Sequence, residues 1–523
     1  MISRSIEYAA IAPITIVLLA GVFSLLIEGF APRTVRRPFQ LALVFGSLAL
    51  ALIYLVIDAT RAVTGGPEAN SGQTSGLRQV VAQGSVAIDG PGLFLQGTIL
   101  LIAIIGAMLI AERQVDPQGD AFASRASALP GSEEERQFTN QGWMQTEIWS
   151  LFLFAVGGML LFPVSNDLLT MFVALEVLSL PLYLLASMAR RRRLLSQEAA
   201  LKYFVLGGFS SAFFLFGAAL VYAVTGSMTF GDIASALGDS SHDGIMLSGV
   251  GLIAIGLLFK VGAVPFHQWT PDVYQGAPTP LTAFMAAATK VAAFGALLRI
   301  FYVAFGSLRW DWRPMMWAVA ILSMLIGALL AVTQTDIKRI LAYSSVAHAG
   351  FILLGIIAAS RSGLASVLFY LFAYGFTTLG TFAIVSLVRD PSGEATHISK
   401  WAGLGKKSPV VASVFAFFLL ALAGIPLTSG FTAKFAVFGS AVSGNATPVV
   451  IVAVVASAIA AFFYARIIVL MFFTAPTDDE VAVVIPSAFT KTAIAVSFAV
   501  TVILGVLPQP VLDAVLHAGL FVR

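Results

Sequence analysis

The chain has 523 residues, of which 58% are hydrophobic and only 11% are charged, and its formal net charge is +3. Its mean hydropathy of +0.92 is far above that of an ordinary soluble domain, so the composition excludes a water-soluble enzyme and indicates a protein embedded in a bilayer. It contains no cysteine, which excludes both a disulfide framework and iron–sulfur clusters held by thiolates.

About fourteen apolar runs follow one another along the chain, each long enough to cross about 30 Å of hydrocarbon as a helix of roughly 20 residues. The longest segments between them, 59–91 and 112–146, are rich in Gly, Ser and charge and are predicted to be surface loops. We therefore predict an all-α integral membrane protein with about 14 transmembrane helices. The runs lie near 7–27, 39–58, 92–111, 147–163, 167–189, 199–224, 247–266, 279–298, 315–333, 340–359, 363–388, 408–441, 449–473 and 492–508.

Lysine and arginine are concentrated in the segments that follow the odd-numbered runs, and the four arginines at 190–193 form the densest cluster. Because basic residues collect on the cytoplasmic side, this asymmetry predicts that the N-terminus and the C-terminus both lie outside. The first run is too long for a signal peptide and is followed by arginines at 33, 36 and 37, so a retained helix is expected. The chain is predicted to be a multi-pass protein of the bacterial cytoplasmic (inner) membrane.

Sites for soluble ligands are not expected. The five histidines have no metal-ligand spacing, so no metal site is predicted. The segment 403–408, GLGKKS, resembles a phosphate loop only superficially, because Lys400 stands where the leading glycine would be and Lys407 where the loop needs Ser or Thr. Neither a bound cofactor nor a nucleic-acid partner is expected for this chain.

Among the ionisable residues within apolar runs, four stand out, because insertion there costs at least about 2.5 to 3.5 kcal/mol for a charged side chain. Glu176 is near the middle of the fifth run, and its short side chain cannot reach water. Lys290 lies among alanines in the eighth run, while Lys260 and Lys434 accompany prolines in the seventh and the twelfth. Simple packing would also explain Glu176 and Lys290, and snorkelling to the membrane surface would also explain Lys260 and Lys434.

Runs 4 to 8 and runs 9 to 13 form two blocks of five, and because five is odd the second block must cross the membrane in the opposite sense. In both blocks the fourth run is interrupted: Lys260 precedes Pro265, and Lys434 follows Pro426. Proline breaks a helix, and paired broken helices in corresponding positions indicate a transport site. We predict two inverted five-helix repeats with broken helices 7 and 12. The predicted divisions are an N-terminal three-helix segment at 1–112, a cytoplasmic loop at 113–146, repeats at 147–304 and 305–473, and a C-terminal loop with helix 14 at 474–523.

These residues are suited to proton exchange. Burial disfavours the ammonium form of Lys260, whereas a nearby carboxylate such as Glu176 favours it, so small changes in the surroundings can load or release a proton. Arginine would stay charged. Histidines relay protons near neutrality, which makes His348 in the tenth run a candidate, although a packed, hydrogen-bonded histidine would look the same. Less certain candidates are His267 and the i, i+4 pair of Glu198 and Lys202, for which an ordinary surface ion pair remains open.

Three segments carry a family resemblance: KYFVLGGFSSAFFLFGAALVY from Lys202, FKVGAVPFHQWTPDVYQGAPTP from Phe259 and LALAGIPLTSGFTAKFAVF from Leu420. Together they resemble the antiporter-like membrane subunits of bacterial proton-pumping NADH-quinone oxidoreductase, respiratory complex I, over about residues 145–475. The resemblance implies a fourteen-helix fold with broken helices 7 and 12. It also implies a proton path through Glu176, Lys260, Lys290, His348 and Lys434.

Within that family the pattern is most similar to subunit N, because the helix-12 residue is lysine and the chain has no long lateral helix after run 14. The resemblance implies a translocase subunit without a redox centre or bound cofactor of its own. NADH, FMN, iron–sulfur clusters and a quinone, menaquinone or ubiquinone, would act elsewhere in the complex. The implied partners are membrane lipid and other membrane subunits, including subunit M and the small subunits K, J and A. Two alternatives stay open: a subunit of a multisubunit sodium/proton antiporter, and a passive membrane scaffold of a redox complex.

Overall fold

The computed structural model describes residues 8–64, 79–116, 119–123, 132–133, 136–137, 146–238, 244–391, 393–476 and 481–522. Most of the loop predicted at 113–146, and part of the one predicted at 59–91, lies outside these residues. The described first part of the chain is built from ten helices. They are α1 (Ala12–Phe30), α2 (Arg33–Thr64), α3 (Gly90–Ile110), α4 (Ile148–Leu161), α5 (Leu168–Ala186), α6 (Arg193–Thr225), α7 (Phe230–Gly238), α8 (Gly244–Val261), α9 (Trp269–Gly276) and α10 (Thr279–Arg299).

The described remainder of the chain is also helical, and short strands occur only in the connections. β1 (Gln79–Val81) pairs antiparallel with β2 (Val86–Ile88), and β3 (Val388–Asp390) lies between β4 (Gly393–Glu394) and β5 (Ala482–Val483). The helices are α11 (Arg309–Thr333), α12 (Ile337–Ile357), α13 (Arg361–Leu387), α14 (Leu404–Lys407), α15 (Pro409–Ala423), α16 (Ser429–Ser443), α17 (Thr447–Phe473), α18 (Ala488–Val506) and α19 (Gln509–His517).

The predicted all-α membrane class is confirmed. Among the described residues, 12 helices are long and apolar enough to cross a membrane. Two further apolar helices, Ile148–Val164 and Pro409–Ala423, are shorter. The count of 14 therefore stays a prediction, because run 12 divides into α15 and α16 and run 4 gives a helix of only 14 residues before a 3-10 turn.

The breaks predicted in runs 7 and 12 are present. After α8 the chain passes through Gly262, whose φ is +72°, and Pro265 before α9 begins. After α15 it passes through Gly424, whose φ is +84°, and Pro426 before α16 begins. A positive φ is accessible to glycine without steric penalty, and proline cannot donate to a helical ladder, so each glycine–proline pair ends one helix and lets another start.

Three helices form the centre of the bundle. The apolar segment of α10 is entirely buried inside the bundle, and the apolar segments of α12 and α13 are almost entirely buried. Most of the corresponding segment is not buried in four other helices, which therefore lie at the periphery: α1, α2, α17 and α18. A helix that is apolar on all sides is expected in such a position. The lysine of α10 is therefore surrounded by protein. We call the end of the bundle that carries the arginines at 190–193 the basic face; α10 begins there and ends at Arg299 on the opposite face.

Candidate functional site

Lys260 lies in the last turn of α8, immediately before the first helix break, and is only 3% exposed. Its Nζ donates a hydrogen bond to Tyr183 Oη at 3.0 Å. The ammonium also lies 5.0 Å and 5.4 Å from the ring centres of Tyr183 and Tyr203, within the range of cation–π attraction. The ring of Phe259 lies 5.6 Å away, so a hydroxyl and three aromatic rings surround this cation at bilayer depth.

Glu176 lies on α5 seven residues before Tyr183, so both side chains are on the same side of that helix, about 10 Å apart along its axis. Its Oε1 is buried and has no hydrogen-bond partner among the described residues. No ion pair between Glu176 and Lys260 is observed among the described residues, and the hydrogen-bond partner of the Lys260 amine is Tyr183. The carboxylate expected beside Lys260 thus lies on α5, the helix that carries Tyr183, two turns away from that tyrosine.

Lys290 is buried in the middle of α10 and connects the first helix break to α12. Its Nζ donates to the carbonyl of Ser345 at 2.7 Å and to the carbonyl of Val261 at 3.2 Å. Val261 is the last residue of α8, so its carbonyl has no partner in the helix that ends there. The Lys290 ammonium supplies that missing partner. Val261 directly follows Lys260 in the chain, so the two lysines meet at this helix end.

Lys434 makes the corresponding contact at the second break. Its Nζ donates to the carbonyl of Ala423, the last residue of α15, at 2.7 Å and to Ser457 Oγ at 2.9 Å. The ring of Phe351 lies 4.8 Å from the ammonium. The carboxyl end of a helix carries partial negative charge, which favours a cation. Each broken helix therefore ends against a buried lysine amine.

His348 lies on α12 between the two lysines. Its Nδ1 is 2.7 Å from Tyr370 Oη, while its Nε2 is 3.5 Å from Tyr464 Oη. Ser345, which accepts from Lys290, and Phe351, which contacts Lys434, are three residues before and three residues after His348. Six residues of helix span about 9 Å. One stretch of α12 thus touches both lysines and presents an imidazole between them.

A small cavity adjoins this imidazole. Its volume is about 10 Å³, close to the minimum that a water molecule requires. Most of the surface that lines the cavity is apolar, so a water molecule in it would depend on hydrogen bonds to the few polar side chains present. Its polar lining consists of His348, Tyr370, Tyr374, Thr377 and Ser429.

The less certain candidates lie nearer the basic face. Lys202 is 45% exposed and pairs with Glu198 at 2.8 Å and with Asp272 of α9 at 2.9 Å. Asp272 also pairs with Arg339 of α12 at 2.7 Å, so the ion pair predicted from spacing belongs to a network that joins the two halves. His267 is half-buried in the segment between α8 and α9.

Sequence reasoning missed the tyrosines and hydroxyls that contact the charged groups. Tyr183, Tyr370 and Tyr464 are neutral residues in apolar helices, where they are usually packing residues, and nothing in their spacing distinguishes them. Arg299 and Asp89 were also missed as a pair, because 210 residues separate them. Among the described residues no group of three or more His, Asp or Glu could hold a metal ion.

The hydroxyl of Tyr183 occupies space that only a glycine on the neighbouring helix provides. A Cβ added at Gly207 would fall on Tyr183 Oη, whereas a Cβ at Gly208 would meet nothing within 4 Å. We expect Gly207→Ala to displace the hydroxyl from the charged Lys260 amine, costing about 1.5 to 3 kcal/mol of hydrogen-bond energy and slowing the proton movement that the family resemblance implies by roughly 10- to 150-fold. Gly208→Ala, the adjacent control, should leave it unchanged. The measurement is vesicle acidification per assembled protein; equal rates for both variants would contradict the role of this contact.

Comparison with known proteins gives the same family as the motifs. A family model described as "NADH:quinone oxidoreductase/Mrp antiporter, TM" matches residues 165–460, a range that contains every candidate residue. The NADH-quinone oxidoreductase subunit N of Rhodococcus opacus (strain B4) is 59% identical over 538 residues, covering 99% of this chain and 97% of that protein. The chain belongs to the NADH-quinone oxidoreductase subunit N family. Another member of the subunit N family, from Mycobacterium tuberculosis (strain H37Rv), is 54% identical with 99% of both chains covered.

Solved structures agree with this assignment to the subunit N family. A chain of respiratory complex I from Thermus thermophilus with bound aureothin has a TM-score of 0.75 and 32% identity, covering 96% of this chain and 99% of that one. A chain of the Mrp complex from Dietzia sp. DQ12-45-1b has a TM-score of 0.78 at 22% identity, covering 98% and 97%, which shows a shared fold. The resemblance predicted from the three motifs is confirmed.

Proposed function

We propose that this chain is a proton-translocating membrane subunit of respiratory complex I. It moves protons from the cytoplasm to the outer side of the membrane, driven by electron transfer from NADH to quinone in other subunits. The observation that supports this most strongly is the series of buried proton carriers, Lys260, Lys290, His348 and Lys434, with two of the amines at the carboxyl ends of broken helices. Such groups at bilayer depth are retained for ion pathways.

The contacts suggest an order of transfer. A proton held on Lys260 by Tyr183, with Glu176 as the alternative partner on α5, passes to Lys290 at the adjoining carbonyl of Val261. From Lys290 it reaches His348 along α12, past the buried side chain of Ser345. His348 then exchanges it with Lys434.

The energies involved are of matching size. Moving one elementary charge against 100 mV requires about 2.3 kcal/mol. Making or breaking one hydrogen bond to a charged group changes the free energy by about 1.5 to 3 kcal/mol. A change of partner at one or two of these amines is therefore sufficient to load or release a proton. Glu198, Lys202 and His267 lie on the side from which, in this proposal, the proton enters.

The assembly follows from the subunit N family. We propose that the chain contacts membrane lipid and other membrane subunits, among them subunit M and the small subunits K, J and A, in the bacterial cytoplasmic membrane with both termini outside. NADH, FMN, iron–sulfur clusters and quinone belong to other subunits. The division into two inverted repeats, 147–304 and 305–473, is part of the same proposal; the helix breaks after α8 and α15, each in the fourth predicted run of its block, support it.

The sodium/proton antiporter is the alternative, because the Mrp chain from Dietzia has the same fold. Identity of 59% over nearly the full length of a subunit N favours complex I. Purification of the tagged chain from its native membrane separates the two. Flavin- and iron–sulfur-containing partners are expected; their absence, with antiporter subunits present instead, would contradict the assignment.

The passive scaffold is tested by Lys260→Ala. Because the lysine is held by a hydroxyl and aromatic rings, its removal creates a cavity without leaving a buried carboxylate of an ion pair unpaired. We expect the complex to assemble in normal amount, with NADH-driven proton movement reduced by about 100-fold or more, the usual effect of removing an acid–base group. A scaffold role instead predicts failed assembly with normal pumping in whatever complex remains.

A further inference from the structure

A polar cavity lies at the basic face, away from the buried lysines. Its volume is about 70 Å³, which is room for several water molecules. Arg192 in its lining is exposed, so the cavity opens to the surface. Its charged side chains pair with one another, for example Arg191 with Asp116 and Lys338 with Glu394. Because these charges already have partners, we consider the cavity as a space for water.

This cavity extends along α13 towards the middle of the bundle. It is lined by Phe382 and Ser386 of that helix and by Thr490 of the facing helix α18. The smaller cavity beside His348 is lined by Thr377 of the same helix α13. Phe382 follows Thr377 by five residues, which is roughly 7.5 Å along a helix axis. About one and a half turns of α13 therefore lie between the two cavities.

Hydroxyl groups occupy this interval. Thr377 Oγ1 lies 3.2 Å from Thr501 Oγ1 of α18 and 3.4 Å from Ser429 Oγ of α16, so three helices meet at one polar point. Thr377 and Ser429 also line the cavity beside His348. A hydroxyl both donates and accepts hydrogen bonds, so it can connect one neighbour to the next. Thr377 and Thr501 also donate to carbonyls of their own helices, at 2.9 and 2.8 Å, so proton transfer requires these hydroxyls to rotate.

The next level of the same two helices, nearer the basic face, also carries hydroxyls. α13 and α18 run antiparallel, because the end of α13 and the start of α18 both line the larger cavity. Four residues from the contact between Thr377 and Thr501, on the same helix faces, are Thr381 and Ser497. Both are fully buried, and each lies about 6 Å closer to the basic face along its helix.

Ser497 carries a hydroxyl that the protein leaves without a partner. Its side chain is fully buried, and its Oγ forms no hydrogen bond among the described residues. A buried hydroxyl without a partner is costly, and such groups are commonly satisfied by an ordered water molecule. Water bound to Ser497 would lie in the interval between the two cavities. This observation is independent of the contacts that join the three helices.

We propose that the contact between α13 and α18 is a second entry for protons, which leads from the basic-face cavity past Ser497, Thr501 and Thr377 to His348. The inference rests on the proposed function, since it supplies the same series of carriers, but it joins that series at His348 and not at Lys260. Each water or hydroxyl on the route accepts one hydrogen on its oxygen and releases another, so none of them changes its charge in a completed transfer. α18, which lies outside both predicted repeats, thereby takes part in transport.

Thr501 provides the main test, because its hydroxyl and its methyl group can be removed separately. In inverted membrane vesicles that contain the whole complex, we expect Thr501→Val to slow NADH-driven acidification per assembled complex by roughly 2- to 10-fold, since valine loses the hydroxyl. Thr501→Ser keeps the hydroxyl and should pump at close to the wild-type rate. A role in packing alone predicts that the two variants pump equally.

Ser497→Ala is the second test and removes no hydrogen bond of the Ser497 side chain observed among the described residues. We expect it to slow acidification as Thr501→Val does, with unchanged survival of the complex in a heat step. Thr492→Val, at an exposed threonine on the same helix, is the matched control. Wild-type rates in both Thr501→Val and Ser497→Ala, or equal slowing by Thr501→Val and Thr501→Ser, would overturn the second entry and leave the proposed function intact. A wild-type complex that does not acidify the vesicles would instead overturn the proposed function and this inference with it.

Discussion

Replacing Lys290 with methionine is expected to reduce NADH-driven proton movement by about 100-fold or more while the complex still assembles. Lys290 links the break after α8 to α12 through hydrogen bonds to the carbonyls of Val261 and Ser345. Carbonyl groups accept hydrogen bonds but do not carry a proton onward. Methionine fills much of the same volume without an acid–base group, so the series of carriers is interrupted at its centre.

Lys290→Arg distinguishes proton exchange from simple charge. Arginine keeps the positive charge and can donate to the same carbonyls, but it does not release its proton. We expect this variant to assemble and to pump as poorly as the methionine variant. Lys491→Met, at an exposed lysine on α18, is the control for loss of a lysine elsewhere. The measurement is vesicle acidification together with the rate of NADH oxidation; normal pumping by Lys290→Arg would show that only the charge is needed.

Replacing Arg299 with methionine is expected to destabilise the assembled chain by about 3 to 5 kcal/mol. Arg299 and Asp89 form a fully buried ion pair with two hydrogen bonds of 2.8 and 2.9 Å. Asp89 also accepts from the backbone N–H groups of Gly92 and Val522, so the pair joins α10, α3 and the last described residues of the chain. Without the guanidinium, the carboxylate would remain buried with backbone donors alone.

The double variant Arg299→Met/Asp89→Leu should recover part of the lost stability, because no uncompensated charge then remains. Arg361→Met, at an exposed arginine at the start of α13, is the control and should change stability little. The fraction of complex that survives a graded heat step measures the effect. Two outcomes would contradict this account: Arg299→Met as stable as the wild type, or a double variant whose loss of stability exceeds the sum of the losses of the two single variants.

The helix breaks and the buried lysines could be predicted because each depends on a local rule. Pro265 and Pro426 cannot continue a helix, and a glycine with positive φ accompanies each break. A charged residue in a long apolar run is rare unless it has a function. This rule alone indicates Glu176, Lys260, Lys290 and Lys434 as candidate site residues.

The contacts of these groups could not be predicted, because they depend on how helices far apart in the chain come together. The hydrogen-bond partner of Lys260 is Tyr183, which lies 77 residues away in the chain. Glu176, the partner expected from the sequence, is on the same helix as Tyr183 but two turns away from it. Hydropathy treats tyrosine in an apolar run as a packing residue, so neither Tyr183 nor Tyr370 gave a signal. The pairing of lysine amines with helix ends also became visible only in three dimensions.

The number of spanning helices could not be fixed from hydropathy alone. The run at 408–441 is long enough for one crossing, but the break at Gly424 divides it into two helices of 15 residues each. Neither half is long enough to span about 30 Å alone. Hydropathy reports how much apolar sequence is present and not where the helix ends.

The most direct test is an electron cryo-microscopy map of the whole complex at a resolution that shows ordered water. The account predicts water molecules beside Glu176 and in the cavity at His348, completing hydrogen-bonded connections from Lys260 through Lys290 to Lys434. If side chains fill these positions and each amine is isolated from the next by apolar contacts, proton transfer along this series of residues is contradicted.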